Sequence, residues 1–248
     1  MKRPCLVLFA LALFASPAAA DVTVTMGLSM TGPMAVDGTV ITSLKGTKAR
    51  SDVKMMGQDV SILIDAATRQ QWMINHTTRQ IAPVNPQQAL AGMPITFGDV
   101  KVSVSATGQT KEVLGRVCQG FSVEASVPMT LGSETLTMKL SGPAWIATDG
   151  PGVAESRAAQ KMFADAGLSM SPLSQGPQAK GMASVARTLG DAGLVMEQEI
   201  RVAMEGTGQV AQLMGQLGNM TMVLKVTAIA TDPIPDAKFA MPEGYARK

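Results

Sequence analysis

The residues that could act as a nucleophile and a base are few. Cys118 is the only cysteine after residue 20, and His76 is the only histidine in the chain. A catalytic thiol needs a nearby base, and Cys118 shares its predicted strand face with Gly120, Ser122 and Glu124. The pattern therefore predicts a structural thiol packed against a helix or loop, without a chemical role.

Other catalytic constellations have little support in the sequence. A single histidine excludes sites that need two from one chain, including the common catalytic zinc patterns. A Ser-His-Asp triad remains open in principle, but the chain has no Gly-x-Ser-x-Gly elbow. Glu197 and Glu199 lie two residues apart on the polar face of a predicted strand, where carboxylates are usually solvated. We therefore expect no enzyme, no metal centre of His, Cys or carboxylate ligands, and no cofactor.

Methionine offers one further chemistry, because the chain contains 19 of these residues. Three groups are closely spaced in sequence: Met26, Met30 and Met34; Met55 and Met56; Met220 and Met222. Thioethers bind Cu(I), but Met also fills irregular apolar cores. Because Met26 and Met30 lie on an apolar strand face, packing is the favoured explanation and a methionine-rich copper-binding protein is a third hypothesis.

The N-terminus has the pattern of a secretory signal peptide. Lys2 and Arg3 precede a short apolar run, Cys5–Phe14, and Ala18-Ala19-Ala20 forms a small-residue cleavage site. We expect cleavage after Ala20 and a periplasmic protein. With Lys2 and Arg3 removed, the 21 basic residues fall to 19, equal to the 19 acidic residues. A basic surface for nucleic acid is therefore not indicated.

Alternating apolar residues predict most of the secondary structure. In Val22–Met30 every second residue is apolar, which is the period of a half-buried strand. Similar patterns predict strands over residues 38–44, 48–56, 60–64, 71–75, a short piece ending at 84, 100–106, 117–127, 136–148, 194–204 and 220–228. Helical spacing or caps predict short helices over residues 85–93, 159–166 and 182–189, with 210–217 as a loop or short helix.

These elements predict a mainly β protein with short helices, of the α+β class. The order shows neither a βαβ rhythm nor a linker that would divide domains. We therefore expect one domain over residues 21–248, built on a single antiparallel sheet whose apolar face the helices cover in part.

Three motifs resemble those of an uncharacterised family of secreted bacterial proteins, a domain of unknown function. The first consists of Thr107-Gly108, Lys111, Gly115 and Cys118, the second is the strand Ala144–Asp149, and the third consists of Ile234-Pro235-Asp236, Phe239, Pro242 and Gly244-Tyr245. That family resembles in turn the outer-membrane lipoprotein carriers. The resemblance implies a sheet curved into a half-open barrel, with helices as a lid and a concave apolar face able to hold acyl chains.

Eleven apolar residues, at alternating positions on three predicted strands, would line this face. They are Val24, Met26, Leu28, Met30, Met196, Ile200, Val202, Met204, Met222, Leu224 and Val226.

The leading hypothesis is a periplasmic, non-enzymatic protein that binds a lipid, a lipoprotein acyl chain or another apolar ligand. The alternative is a cell-envelope interaction domain whose core is filled by its own helices. Peripheral contact with envelope proteins is left open in both, and nucleic acid is not an expected partner.

Overall fold

The computed structural model describes residues 21–32, 35–84, 95–168, 179–208 and 220–248. Its strands are β1 (Val22–Thr31), β2 (Val36–Lys45), β3 (Lys48–Met55), β4 (Gln58–Asp65), β5 (Gln70–Asn75), β6 (Gln80–Pro83), β7 (Ile95–Phe97), β8 (Lys101–Val113), β9 (Arg116–Leu131), β10 (Glu134–Ala147), β11 (Leu194–Gly206), β12 (Met220–Ala230) and β13 (Ala246–Arg247). Its helices are α1 (Val153–Asp165), α2 (Ala179–Ala192) and a 3₁₀ turn, Asp236–Phe239. The elements predicted over residues 85–93 and 210–217, and Met34, lie outside the described residues.

All thirteen strands belong to one open, curved sheet. The order along it is β13-β6-β5-β4-β3-β2-β1-β12-β11-β10-β9-β7, with β8 also paired to β9. Neighbouring strands are antiparallel except for β13, whose two residues pair in parallel with β6. The predicted fold class, a mainly β half-open barrel with short helices as a lid, is confirmed.

The register divides the sheet into two chemically different faces. We call the face on which the helices pack the inner face. On β1 and β2 the register pairs Val24 with Thr42, Met26 with Val40 and Leu28 with Gly38, so these residues lie on the inner face. The same face can be followed through facing residues from β3 to β5 and from β12 to β9. Since side chains alternate along a strand, these pairings fix which residues each face carries.

The helices cover one end of the inner face. Phe163 and Ala159 of α1 are buried in a cluster that contains Val22, Val24 and Met196. In α2, Val185 and Leu189 pack with Ala144, Ile146 and Val123 of β9 and β10. Ala159 and Phe163 belong to the helix predicted over residues 159–166, which begins earlier in the structure, at Val153. Gly167, at a φ of 74°, ends the turn after α1 in the left-handed conformation that glycine favours.

The opposite face of β4 to β6 carries a second core that the sequence analysis did not predict. Leu63, Ile74 and Ile81 are buried there against Ile234 and Phe239. The last two residues belong to the C-terminal segment, residues 234–245, which crosses the outside of the sheet before β13 pairs with β6. The opposite face of this part of the sheet is therefore covered by the chain itself.

Candidate functional site

The eleven predicted ligand-binding residues fall into two groups. Val24, Met196 and Val226 are 4%, 0% and 1% exposed and belong to the core beneath α1. They therefore contribute to the folded core and are not accessible to a ligand in this conformation. The other eight are half-buried, and they are Met26, Leu28, Met30, Ile200, Val202, Met204, Met222 and Leu224.

Register brings the accessible group together on the inner face of three adjacent strands. Met30 of β1 faces Met222 of β12, and Met222 faces Ile200 of β11. One pair further along, Leu28 faces Leu224. Facing side chains in an antiparallel pair have Cβ atoms about 4.5–5.5 Å apart, so these residues form one continuous apolar surface.

The described strands carry no charge on the inner face between its rims. Across β1 to β6 and β8 to β12, the register places every charged strand residue on the opposite face except at the hairpin ends, where Glu112 and Glu134 occur. The amide of Gln198, between Ala144 and Leu224, is a polar group within the apolar part. Such a surface has no counterion for a charged ligand group, but it can exclude water from a hydrocarbon chain.

The opposite face carries a buried polar network that includes the single histidine. The Ser61 hydroxyl donates to Asp52 Oδ1 at 2.5 Å, and Ser61 Oγ lies 2.7 Å from His76 Nε2. His76 Nδ1 lies 3.0 Å from the Tyr245 hydroxyl. Arg50 donates to Ser61 Oγ at 3.0 Å and to Asp52 Oδ1 at 2.6 Å.

The order of these groups differs from that of a catalytic triad. In a triad the histidine lies between the carboxylate and the serine and accepts the serine proton. Here Ser61 lies between Asp52 and His76, and its single proton is directed to the carboxylate. Nε2 of His76 is consequently the donor to Ser61, and Nδ1 accepts from Tyr245. Because Ser61 is fully buried, it cannot reach a substrate, so the triad left open by the sequence is not formed.

The network holds the C-terminal segment on the sheet. Lys238 donates to Asp52 Oδ2 at 2.6 Å, and its backbone oxygen accepts from Arg50 at 3.1 Å. Burial raises the pKa of the Asp52 carboxyl, but hydrogen bonds from Lys238, Ser61 and Arg50 outweigh that effect and lower the pKa from 3.8 to about 2. Asp52 is therefore ionised at neutral pH and binds two strands and the segment together.

The start of the same segment has its own anchor. The backbone N–H of Ile234 donates to Asp21 Oδ2 at 2.6 Å, and Lys45 Nζ donates to the Ile234 oxygen at 2.5 Å. At the far end, Arg79 lies 5.4 Å from the centroid of the Tyr245 ring, a cation–π contact. The closing motif seen in the sequence is thus a structural clamp on the outside of the barrel.

The motif around Cys118 is also structural. Cys118 is fully buried in the main core, and burial raises the pKa of its thiol. A thiol that is buried and protonated is a poor nucleophile, which agrees with the predicted structural role. Nearby, Thr107 donates to the Gly120 oxygen at 3.0 Å and closes the bulge in β8.

Lys111 links β8 to β10 and β11. Its Nζ lies 5.6 Å from the Trp145 ring centroid and donates to Glu197 Oε1 of β11. Close by, a Cβ atom at Gly120 would approach Thr107 Oγ1 to 2.6 Å and the Trp145 ring to 2.9 Å. The Thr107 hydroxyl and the Trp145 ring therefore require glycine at position 120.

Glu197 is not the freely solvated carboxylate that the sequence analysis expected. Its side chain is 16% exposed, and it forms ion pairs with Lys111 and, at 3.6 Å, with Lys225. The sequence could not show this, since the three residues come from three separated strands. Glu199 is more exposed and pairs with Arg201 at 2.7 Å.

Metal clusters and membrane-spanning helices are absent from the described part of the chain. No group of three or more His, Cys, Asp or Glu residues there could hold a metal ion. Within the same ranges no helix has the length and apolar character to cross a membrane.

Comparison with known proteins finds similarity only to solved structures. Neither the known family models nor the curated proteins contain a match to this chain. Among solved structures, a crystal structure of a LolA superfamily protein from Nitrosomonas europaea covers 91% of this chain and 92% of its own, with 9% sequence identity and a TM-score of 0.30. The function proposed for this chain therefore depends on its own geometry.

Proposed function

We propose that this protein is a non-enzymatic binding protein that holds an apolar ligand, a lipid or the acyl chain of a lipoprotein, on its inner face. The observation that carries the proposal is the uncharged, half-buried apolar surface that Met26, Leu28, Met30, Met222 and Leu224 form on β1 and β12. A filled core would bury these side chains as fully as Val24 and Val226 are buried under α1.

The energetics suit a hydrocarbon chain. Burial contributes about 0.8 kcal/mol per CH₂ group, so about ten to fifteen buried groups give roughly 8–12 kcal/mol before the cost of association. Subtracting an association cost of roughly 4 kcal/mol or more leaves a dissociation constant in the micromolar range or weaker. Since methionine side chains repack readily, chains of different length should bind with similar affinity.

The test is saturable binding of a fluorescent fatty-acid probe and its displacement by lipid extract. Met222→Asp places an unpaired charge on the inner face and should abolish binding. Thr221→Asp is the matched control, because Thr221 is the next residue of β12, lies on the opposite face and faces Arg201. Circular dichroism would establish that both variants fold.

Two results would contradict the proposal. One is wild-type protein that shows no saturable probe binding, and the other is a folded Met222→Asp variant that binds normally. In either case the alternative function, an envelope interaction domain with a self-filled core, would take its place.

We further propose that the protein acts in the periplasm after cleavage following Ala20. The support is the charged start, apolar run and small-residue site of residues 1–20. Intact-mass analysis of protein from the soluble periplasmic fraction should give a chain that begins at Asp21. A mass that includes residues 1–20, or an acylated cysteine, would contradict this.

A further inference from the structure

Six methionines form a belt across five strands of the inner face. We name them the methionine belt, and they are Met30, Met222, Met220, Met204, Met138 and Met129. Met30 faces Met222, and Met204 faces Met138. Met220 is two residues from Met222 on the same face and faces Val202, so Met204 is its diagonal neighbour. Met129 is likewise the diagonal neighbour of Met138 across β9 and β10.

The spacing within the belt lets neighbouring sulfur atoms converge. Facing Cβ atoms lie about 4.5–5.5 Å apart and diagonal ones about 7–8 Å or less. Each methionine has three rotatable bonds, which allows a thioether to move toward a shared ion without a change in the backbone. All six side chains are half-buried, so they remain accessible from solvent.

The chemistry of the surroundings selects the kind of ion. Hard divalent cations need oxygen ligands, and the described strand residues on the inner face between its rims include no carboxylate. Neutral thioethers are soft ligands and suit Cu(I). A single positive charge also costs less than a double charge to place on an apolar surface without a counterion.

We propose that Met30, Met220 and Met222 form a thioether site for a soft monovalent cation, Cu(I) or its analogue Ag(I). The site stands on ligand chemistry and strand register, and it does not depend on whether the protein also binds a lipid. Met204, the diagonal neighbour of Met220, is placed to serve as a further ligand.

The experiment is titration of the purified protein with Ag(I), and with Cu(I) under anaerobic reducing conditions, against a chromophoric chelator. A Met30→Leu/Met222→Leu variant conserves volume and apolar character, so it should fold, which circular dichroism would establish. It should lose affinity for the metal by about tenfold or more, since two soft ligands are gone. Met56→Leu is the matched control, because Met56 is 60% exposed in the β3–β4 turn and does not belong to the belt.

The thiol of Cys118 needs its own control, because Ag(I) also binds thiolates. A Cys118→Ala variant should bind the metal as the wild type does. The proposal is overturned if the wild type does not bind either ion, if the double methionine variant binds like the wild type, or if Cys118→Ala removes binding. Loss of metal binding in a double variant that folds supports the site, whatever the outcome for lipid.

Discussion

Replacement of Asp52 by Asn tests the clamp between the sheet and the C-terminal segment. The carboxylate accepts from Lys238 and Arg50 at 2.6 Å and from Ser61 at 2.5 Å. A fall of its pKa from 3.8 to about 2 corresponds to about 2 kcal/mol of stability at neutral pH, at 1.36 kcal/mol per pKa unit. Asn keeps the shape but loses the charge, so Asp52→Asn should lower the free energy of unfolding at pH 7 by about 2 kcal/mol or somewhat more.

The same variant gives a signed pH dependence. Because the pKa is lower in the folded protein, the carboxylate stabilises the fold above pH 3.8, and this contribution disappears as the pH falls through about 2. The difference between wild type and Asp52→Asn should therefore shrink to about half by pH 3. Urea unfolding at pH 7, 5 and 3 measures it.

Asp59→Asn is the matched control for this measurement. Asp59 is also on the opposite face, but its side chain is 41% exposed and its ion pair with Lys54 is 3.5 Å long. An exposed pair of this kind contributes at most about 1 kcal/mol. If Asp52→Asn costs no more than Asp59→Asn, or if its cost is the same at pH 3 and pH 7, the clamp does not work as described.

Three further outcomes follow from the packing around Gly120, Cys118 and Glu197. Gly120→Ala should lower stability by about 1–3 kcal/mol in denaturant unfolding, since its Cβ would overlap a hydroxyl and a ring; a neutral effect would contradict this close packing. Cys118 should react slowly with a thiol reagent in native protein and quickly in urea, and rapid native modification would contradict its burial. Glu197→Gln should lower the free energy of unfolding by about 1 kcal/mol, more than Glu199→Gln does, in the same assay. Equal effects would mean that Glu197 is solvated, as the sequence predicts.

The sequence predicts the strands well because their burial is one-sided. In β1 and β12 apolar residues alternate with Thr and other polar residues, and both strands occur within about two residues of the predicted bounds. The same parity argument places Met30, Met222 and Ile200 on one face, and register confirms that they are neighbours.

What the sequence does not predict depends on contacts between distant parts of the chain. The segment from Ile234 looks like a polar tail with isolated apolar residues, and nothing local shows that Phe239 fills a cluster on the outside of β4 and β5. The burial of Val24, Met196 and Val226 likewise depends on where α1 lies. Alternation identifies the face of a strand, but it does not identify the part of that face beneath a helix.

The binding of an acyl chain to the inner face can be measured most directly by NMR of ¹³C-methyl methionine with a spin-labelled fatty acid. The account predicts saturable broadening of the signals of Met30, Met222 and Met204. Met241, in the cluster on the opposite face, should remain sharp. Broadening confined to Met241, or no saturable broadening at any methionine, would contradict a ligand site on the inner face.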